Sequence, residues 1–363
     1  MTSTESLGND SFGTFNFADF NNSSCDTMIK NFKLINCGLG TTLAVIGLLG
    51  NTLSVIVLSH KKMRNPTSTF LQCLAVFDNI ILLAFTFDII SMYDIMLYQV
   101  ILVFKRCIQR IAITGTVAMT IVIATERYIG TAKPFRGRNM CDGRVPLCII
   151  LIVVFFAIFF NIPYYLSFRL HTVWDPILNG YRIVPYFTEF WSSPFMKVYL
   201  FHIRLIFLFA LPWLAMLVLN ILIVRQIWKR RSGKLKQWIN TNGRDKRMTL
   251  AVFAMTTMFF LAYPFPALVD IWITSTSSKK YCNKKVGTFK LIKQLMIILY
   301  SATNFIFYCL FGKHFRDTLF LCLCPRCFAE KLAPRFNLGL RNSRGYVNTN
   351  LRRSSASDKQ FSV

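Results

Sequence analysis

The chain has 363 residues, 54% of them apolar and only 16% charged, with a net charge of +26 at pH 7. So high an apolar share excludes an ordinary water-soluble protein of this length. The basic residues lie scattered in short segments between apolar runs, not on one arm or face, which argues against a nucleic-acid partner and for membrane topology.

Seven apolar stretches follow one another, near Leu34–Ser59, Thr67–Tyr93, Val103–Gly130, Val145–Leu166, Phe195–Trp228, Arg247–Thr274 and Val286–Phe311. A helix rising about 1.5 Å per residue needs roughly 20 residues to cross a hydrocarbon layer of about 30 Å, and each stretch is long enough. The predicted fold class is an all-α membrane protein built as a seven-transmembrane helix bundle.

Residues 1–33 read as an outer tail. The sequons Asn9-Asp10-Ser11, Asn21-Asn22-Ser23 and Asn22-Ser23-Ser24 mark Asn9, Asn21 and Asn22 as N-glycosylation acceptors. No basic start followed by an apolar run marks a cleavable leader, so span one is expected to act as an uncleaved start. The segments joining spans one to two, three to four and five to six, with the tail, carry most of the 42 basic residues. The positive-inside bias puts these segments in the cytosol and the N-terminus outside a plasma membrane. Lys279, Lys280, Lys284, Lys285 and Lys290, before span seven, run against that bias.

In span two, Asp78 stands in the middle of Leu74-Ala75-Val76-Phe77-Asp78. A charge there costs about 2.5 to 3.5 kcal/mol on insertion scales and needs partners. Asn51, Thr116, Ser301 and Asn304 are the candidates. Such a cluster of oxygens can hold a Na⁺ ion or water; the alternative is a satisfied polar knot between helices. Span three ends in Glu126-Arg127-Tyr128, where Glu126 can neutralise Arg127 and release it when helices move. The plain alternative is an arginine snorkelling at a helix end.

Between spans four and five, Asn179-Gly180 separates Thr172-Val173-Trp174 from Tyr181-Arg182-Ile183-Val184, the pattern of a β-hairpin with a type I′ turn. An irregular loop around Pro176 and Pro185 is the alternative. Cys25 and Cys282 both face the oxidising side, and a bond between them is the hypothesis, with two free thiols as the alternative. Cys37, Cys73, Cys107, Cys148 and Cys309 fall within spans and read as small packing residues.

After span seven, Gly312 breaks the run, and Lys313–Leu323 alternates basic and apolar residues as a short helix lying on the membrane surface would. Cys322, Cys324 and Cys327 beside it read as palmitoylation sites in preference to a zinc site with His314, whose spacing fits no common finger. The expected organisation is therefore a tail over 1–33, a membrane domain over 34–311, a surface helix with cysteines over 312–328 and a disordered tail over 329–363. In that tail, Ser343, Ser354, Ser355 and Ser357 are candidate phosphorylation sites that would recruit arrestin, and Phe361-Ser362-Val363 would suit a PDZ domain.

Jointly these motifs resemble the rhodopsin-like G-protein-coupled receptors. The likeness runs through Gly50-Asn51 with Val55, Leu74-Ala75-x-x-Asp78, Glu126-Arg127-Tyr128, Pro212, Pro266 and Asn304-x-x-x-Tyr308. Met63-Arg64-Asn65-Pro66-Thr67, Pro134-Phe135-Arg136 and the run Asn304–Arg316 are similar to the invertebrate FMRFamide-receptor-like peptide receptors. The resemblance implies a peptide ligand outside and a heterotrimeric G protein inside, with Glu126, Arg127, Tyr128, Asn304 and Tyr308 in the switch. The family's amine-binding carboxylate falls at Gln109 and its retinal lysine at Ile298, which disfavours an amine receptor and a visual pigment.

Candidate ligand contacts in the outer halves are Asp88, Gln109, Arg110, Arg204, Asp270, Trp272, Lys293 and Gln294, with Tyr93 and Phe201. Asp88 or Asp270 would pair with the arginine of an amidated Arg-Phe peptide. The alternative is that both acids merely neutralise Arg110, Arg204 or Lys293. The chain also departs from the family: Leu102 replaces the usual cysteine of helix three, Phe305 the seventh-helix proline and Pro264 the sixth-helix tryptophan. Helix seven is therefore expected to bend less, the second outer loop to lack its disulfide, and signalling competence stands in question. A transporter lacks support because no internal repeat is visible, and an intramembrane enzyme because no metal motif or acid dyad accompanies the four histidines. A seven-helix channel would place the N-terminus inside.

Overall fold

The structure is a computed structural model and describes residues 31–32, 34–63, 65–89, 95–132, 144–175, 180–232, 243–275 and 284–323. Seven helices are long and apolar enough to cross a membrane: α1 (Asn36–Ser59), α2 (Pro66–Thr86), α3 (Ile101–Gly130), α4 (Arg144–Leu166), α5 (Pro194–Gln226), α6 (Leu250–Trp272) and α7 (Lys285–Phe311). Each overlaps the apolar stretch expected at its place.

Burial is inverted relative to a water-soluble bundle. Ile152 and Phe159 on α4 are 67% and 62% exposed, while Asn51, Asp78 and Ser301 are fully buried. Apolar surface outside and polar groups inside is the arrangement that a hydrocarbon solvent selects.

Local chemistry sets the helix ends. Asn65 caps α2 by accepting from the Ser68 backbone N–H at 2.7 Å, with Pro66 in the first turn where a missing N–H costs nothing. At its other end α2 stops at Thr86, short of the expected Tyr93, and tightens into a 3₁₀ turn at Phe87–Ile89. The Thr86 hydroxyl donates to the Leu83 carbonyl at 2.7 Å, competing with the α-helical ladder there.

Two helices carry built-in irregularities. α5 widens into π-type turns at Tyr199–Ile203 and Ile206–Ala210, just before Pro212, which has no N–H to donate. α6 breaks at Tyr263, between Gly243–Ala262 and Pro264–Ser275. α7 runs unbroken past Phe305, in keeping with the absence of proline there. Phe305 instead faces Gly50 on α1, where an added Cβ would stand 3.0 Å from the ring.

A short helix α8 (Lys313–Leu323) follows, with Phe315 and Thr318 buried and Phe320 and Leu323 exposed. Arg316 donates through Nη1 to the carbonyls of Cys309 and Leu310 at 2.6 and 2.8 Å, satisfying the free end of α7.

The expected hairpin is present as antiparallel strands β1 (Phe168–Asp175) and β2 (Gly180–Phe187). Its turn is not the expected type I′ Asn179-Gly180 pair. Asp175 pairs with Gly180 and Trp174 with Tyr181, so Gly180 already belongs to β2 and four residues, not two, connect the strands. Pro185 is tolerated opposite Leu170 because each strand of a two-stranded sheet has a free edge.

Aromatic contacts and hydrogen bonds hold the hairpin base. Phe168 contacts Tyr164, Phe187 and Trp191 at ring separations of 4.9, 4.7 and 5.8 Å. Thr188 adds its N–H to the Ser167 carbonyl and its hydroxyl to the Leu166 carbonyl, both at 3.0 Å. An aromatic cluster of Tyr164, Phe168, Phe187 and Trp191 thus ties the hairpin base to the end of α4.

Candidate ligand pocket, polar core and coupling end

Asp78 sits at the centre of the bundle. Its Oδ1 accepts from the Thr116 hydroxyl at 3.2 Å and its Oδ2 from the Asn304 amide at 2.6 Å. One carboxylate therefore binds α2, α3 and α7 together. Asn51, on α1, donates to the Ser301 carbonyl at 2.9 Å, while its Oδ1 is buried with no hydrogen-bond partner. All five residues of the predicted cluster converge. A buried acceptor facing no donor is what a cation or a water would satisfy, so Asp78, Asn51, Thr116 and Ser301 fit the donor set for Na⁺.

One layer towards the β-hairpin end, Tyr300 of α7 shares a 3.2 Å hydrogen bond with Thr120 of α3 and lies edge-on to Phe259 of α6. Phe259 stacks on Tyr263, the residue at the α6 break. Trp213 of α5 stacks on Phe260 at 4.5 Å and donates from Nε1 to its carbonyl. The irregular parts of α5 and α6 are thereby wired to the polar core by aromatic contacts.

At the other end, Glu126 accepts from Arg127 through Nε at 2.7 Å and Nη2 at 2.5 Å. Thr67 of α2 donates to both Glu126 oxygens at 3.0 and 3.1 Å and also meets the Arg127 guanidinium. The expected Glu126–Arg127 pair is formed, with Thr67 as a third member that sequence reading passed over. Tyr308 is buried, its hydroxyl has no hydrogen-bond partner among the described residues, and its ring lies 5.5 Å from Phe315 of α8. Tyr128 is half-buried beside Arg127.

The hairpin end holds the charged residues. Asp270 pairs with Lys293, and Asp88 pairs with Lys105 while also accepting from the Gln294 amide at 2.9 Å. Both acids are thus neutralised, which favours the structural alternative, but Asp88 takes Lys105 instead of the expected Arg110, Arg204 or Lys293. Lys105 is 8% exposed. It lies inside span three, and sequence reading does not single it out.

Arg110 lies over the Tyr164 ring at 3.8 Å, and Arg204 donates to Asn161 Oδ1 at 3.2 Å. Asn161 is fully buried and donates from Nδ2 to the Thr114 hydroxyl and the Ala157 carbonyl. It was also missed, although a lone amide inside an apolar run such as Ile149–Leu166 is a readable signal. Trp272 meets Phe289 edge-on at 5.0 Å, and Gln109 is half-buried on α3.

Among the described cysteines, Cys73, Cys107, Cys148, Cys309 and Cys322 are free thiols, and the Cys37 thiol donates to the Asp88 carbonyl at 3.4 Å. Asn9, Asn21, Asn22, Cys25, Tyr93, Cys282, Cys324, Cys327 and the tail serines lie outside the described residues.

The family model of the 7 transmembrane receptor (rhodopsin family) matches residues 50–308. The chain belongs to that family. Its members are receptors and not enzymes, and the match also sets aside the transporter and channel readings. The FMRFamide receptor of Drosophila melanogaster is 26% identical over 307 residues, covering 80% of this chain and 54% of that protein. The chain thus spans about half the length of that relative. The growth hormone secretagogue receptor type 1 of Sus scrofa is 24% identical over 80% of both chains, and the sex peptide receptor of Drosophila melanogaster 22% over 91% of this chain and 81% of its own. Within this rhodopsin-like frame the polar core, the Glu126–Arg127 clamp and the mixed-charge mouth occupy three successive levels of one bundle.

Proposed function

We propose that this rhodopsin-like protein is a plasma-membrane receptor for an extracellular neuropeptide, of the amidated FMRFamide-like class, that passes binding to a heterotrimeric G protein. The N-terminus and hairpin face outward, and the Arg127 end faces the cytosol. The relatives named above are receptors for peptides or for secretagogues, and the hairpin anchored by Phe168, Phe187 and Trp191 keeps a mouth in place without the usual disulfide.

The observation that carries the reading is the run of contacts from the α6 break at Tyr263 through Phe259, Tyr300, Thr120 and Thr116 to Asp78. A ligand favouring one arrangement of the pieces around Pro212 and Tyr263 biases Trp213–Phe260 and Phe259–Tyr300, and through Thr120 and Asp78 reaches the helices that hold Arg127. Release of Arg127 from Glu126 and Thr67 would open a cleft for a G-protein helix. Na⁺ held by Asp78, Asn51, Thr116 and Ser301 would stabilise the resting arrangement.

Palmitate on Cys322, Cys324 and Cys327 would fix α8 to lipid. Phosphorylated Ser343, Ser354, Ser355 and Ser357 would recruit arrestin, and Phe361–Val363 would engage a PDZ protein. The test is a second-messenger screen of amidated neuropeptides on cells expressing the full chain. Activation by a pool, traced to one peptide, supports the assignment; silence across pools with confirmed surface expression refutes it.

A further inference from the structure

Asp88 and Asp270 near the mouth are paired, whereas Arg110 and Arg204 face no carboxylate among the described residues. Asp88 is held by Lys105 and Gln294, and Asp270 by Lys293. Among the described residues, no carboxylate lies within ion-pair distance of Arg110 or Arg204. Both arginines are half-buried between apolar helices, where a cation with no counter-charge is costly.

They also belong to one built cluster. Asn161 orients Arg204 and is itself fixed through Thr114, whose hydroxyl donates to the Arg110 carbonyl at 2.9 Å. Tyr164 places its ring 3.8 Å from the Arg110 guanidinium, and Tyr199, whose hydroxyl donates to the Phe160 carbonyl, also serves Arg204 as a neutral hydrogen-bond partner. The Tyr165 side chain packs against the same Tyr164–Tyr199 cluster, and its buried hydroxyl has no hydrogen-bond partner among the described residues. Two guanidiniums and a buried hydroxyl with no partner among the described residues thus share the aromatic cluster of Tyr164 and Tyr199, and an acceptor from outside would complete them.

We propose that Arg110, Arg204 and the Tyr165 hydroxyl form an oxyanion site that takes an acidic group on the peptide ligand; this rests on the peptide reading above. An amidated peptide has no terminal carboxylate, so the group is an aspartate or glutamate side chain or a tyrosine sulfate. Arginine forks suit either oxyanion. Selection at this mouth is then by ligand acid, with Asp88 and Asp270 serving the frame.

The experiment uses the full-length receptor in cells and matched amidated peptide libraries: Asp against Asn, Glu against Gln, sulfotyrosine against tyrosine. The active members carry the acid, and their neutral twins lose about ten- to a hundred-fold in potency. Arg110→Gln and Arg204→Gln reduce the acidic peptide's potency by a similar factor and leave the neutral twin unchanged, while Arg204→Lys retains part of it. Which pair responds separates carboxylate from sulfate.

A second readout is thermal stability of the purified full-length receptor with N-acetyl-aspartyl amide, N-acetyl-asparaginyl amide or sulfotyrosine amide at equal ionic strength. An acid-specific rise lost in both glutamine variants supports the site. Peptides that activate with no preference for the acid, or an acid probe that stabilises the variants as well as the wild type, overturn it and leave the peptide reading standing. An arginine-dependent rise with no active peptide in any library keeps the site and removes the peptide reading. Equal stabilisation by inorganic sulfate alone marks a simple ion site and also overturns the proposal.

Discussion

The Asn304 amide donates to Asp78 Oδ2 across 2.6 Å, joining α7 to α2 inside the bundle. Because Asp78 is fully buried, each hydrogen bond to it replaces hydration that a membrane interior does not provide. Asn304→Ala is expected to cost about 1.5 to 3 kcal/mol, the usual worth of a bond to a charged acceptor. Thermal unfolding of the purified protein measures it. A loss within error would show that the carboxylate has other satisfaction.

Lys105 and Asp88 form the corresponding pair near the mouth, with side chains 6% and 10% exposed. Lys105→Met removes this positive charge beside Asp88, which keeps the Gln294 amide, and should destabilise by about 3 to 5 kcal/mol, the range for breaking one side of a buried ion pair. Adding Asp88→Leu should recover most of that loss, because two apolar groups leave no uncompensated charge. Unfolding temperatures of the single and double variants decide, and a double variant worse than the single would contradict the pairing.

The sequence showed the seven spans because lipid demands long apolar runs, and it showed the Asp78 and Arg127 sites because charges in such runs are rare. It did not show which side chains meet. Lys105 and Asn161 owe their importance to neighbours on other helices, and helical periodicity names a face without naming its partner. Asn179-Gly180 carried a two-residue turn signal, but the aromatic contacts of Phe168 and Phe187 fix the strands at their base and thereby the register. The end of α2 lies before the expected Tyr93 because apolar Phe87, Ile89 and Ile90 extend the pattern beyond Thr86, and hydrophobicity is blind to a hydroxyl such as Thr86 bonding back to the helix.

Close approach of α1 to α7 depends on Gly47, where an added Cβ would stand 2.7 Å from the Ala302 Cβ and 3.1 Å from its Cα. Backbone on the far side leaves little room to yield. Gly47→Ala is expected to cost about 1 to 3 kcal/mol by overpacking, and Gly47→Leu to prevent folding. Surface expression and thermal stability report both; an unchanged Gly47→Leu receptor would mean that the helices sit farther apart.

Arg127 is held by Glu126 and Thr67 at the cytosolic end of the proposed receptor. Glu126→Gln removes the charge but keeps the shape, so it should raise ligand-independent second-messenger output, by about tenfold if one charge-assisted bond is lost. Thr67→Val should act in the same direction and less strongly. Basal output equal to wild type in both, at equal surface expression, would show that the clamp does not restrain signalling.

The most direct measurement compares wild type and Arg127→Ala in one assay, reading binding of a labelled active peptide and second-messenger output from the same cells. The account predicts that Arg127→Ala binds the peptide with wild-type affinity and gives no response above background. A full response from Arg127→Ala would contradict the claim that ligand occupancy at the mouth is transmitted through this bundle to a partner at Arg127.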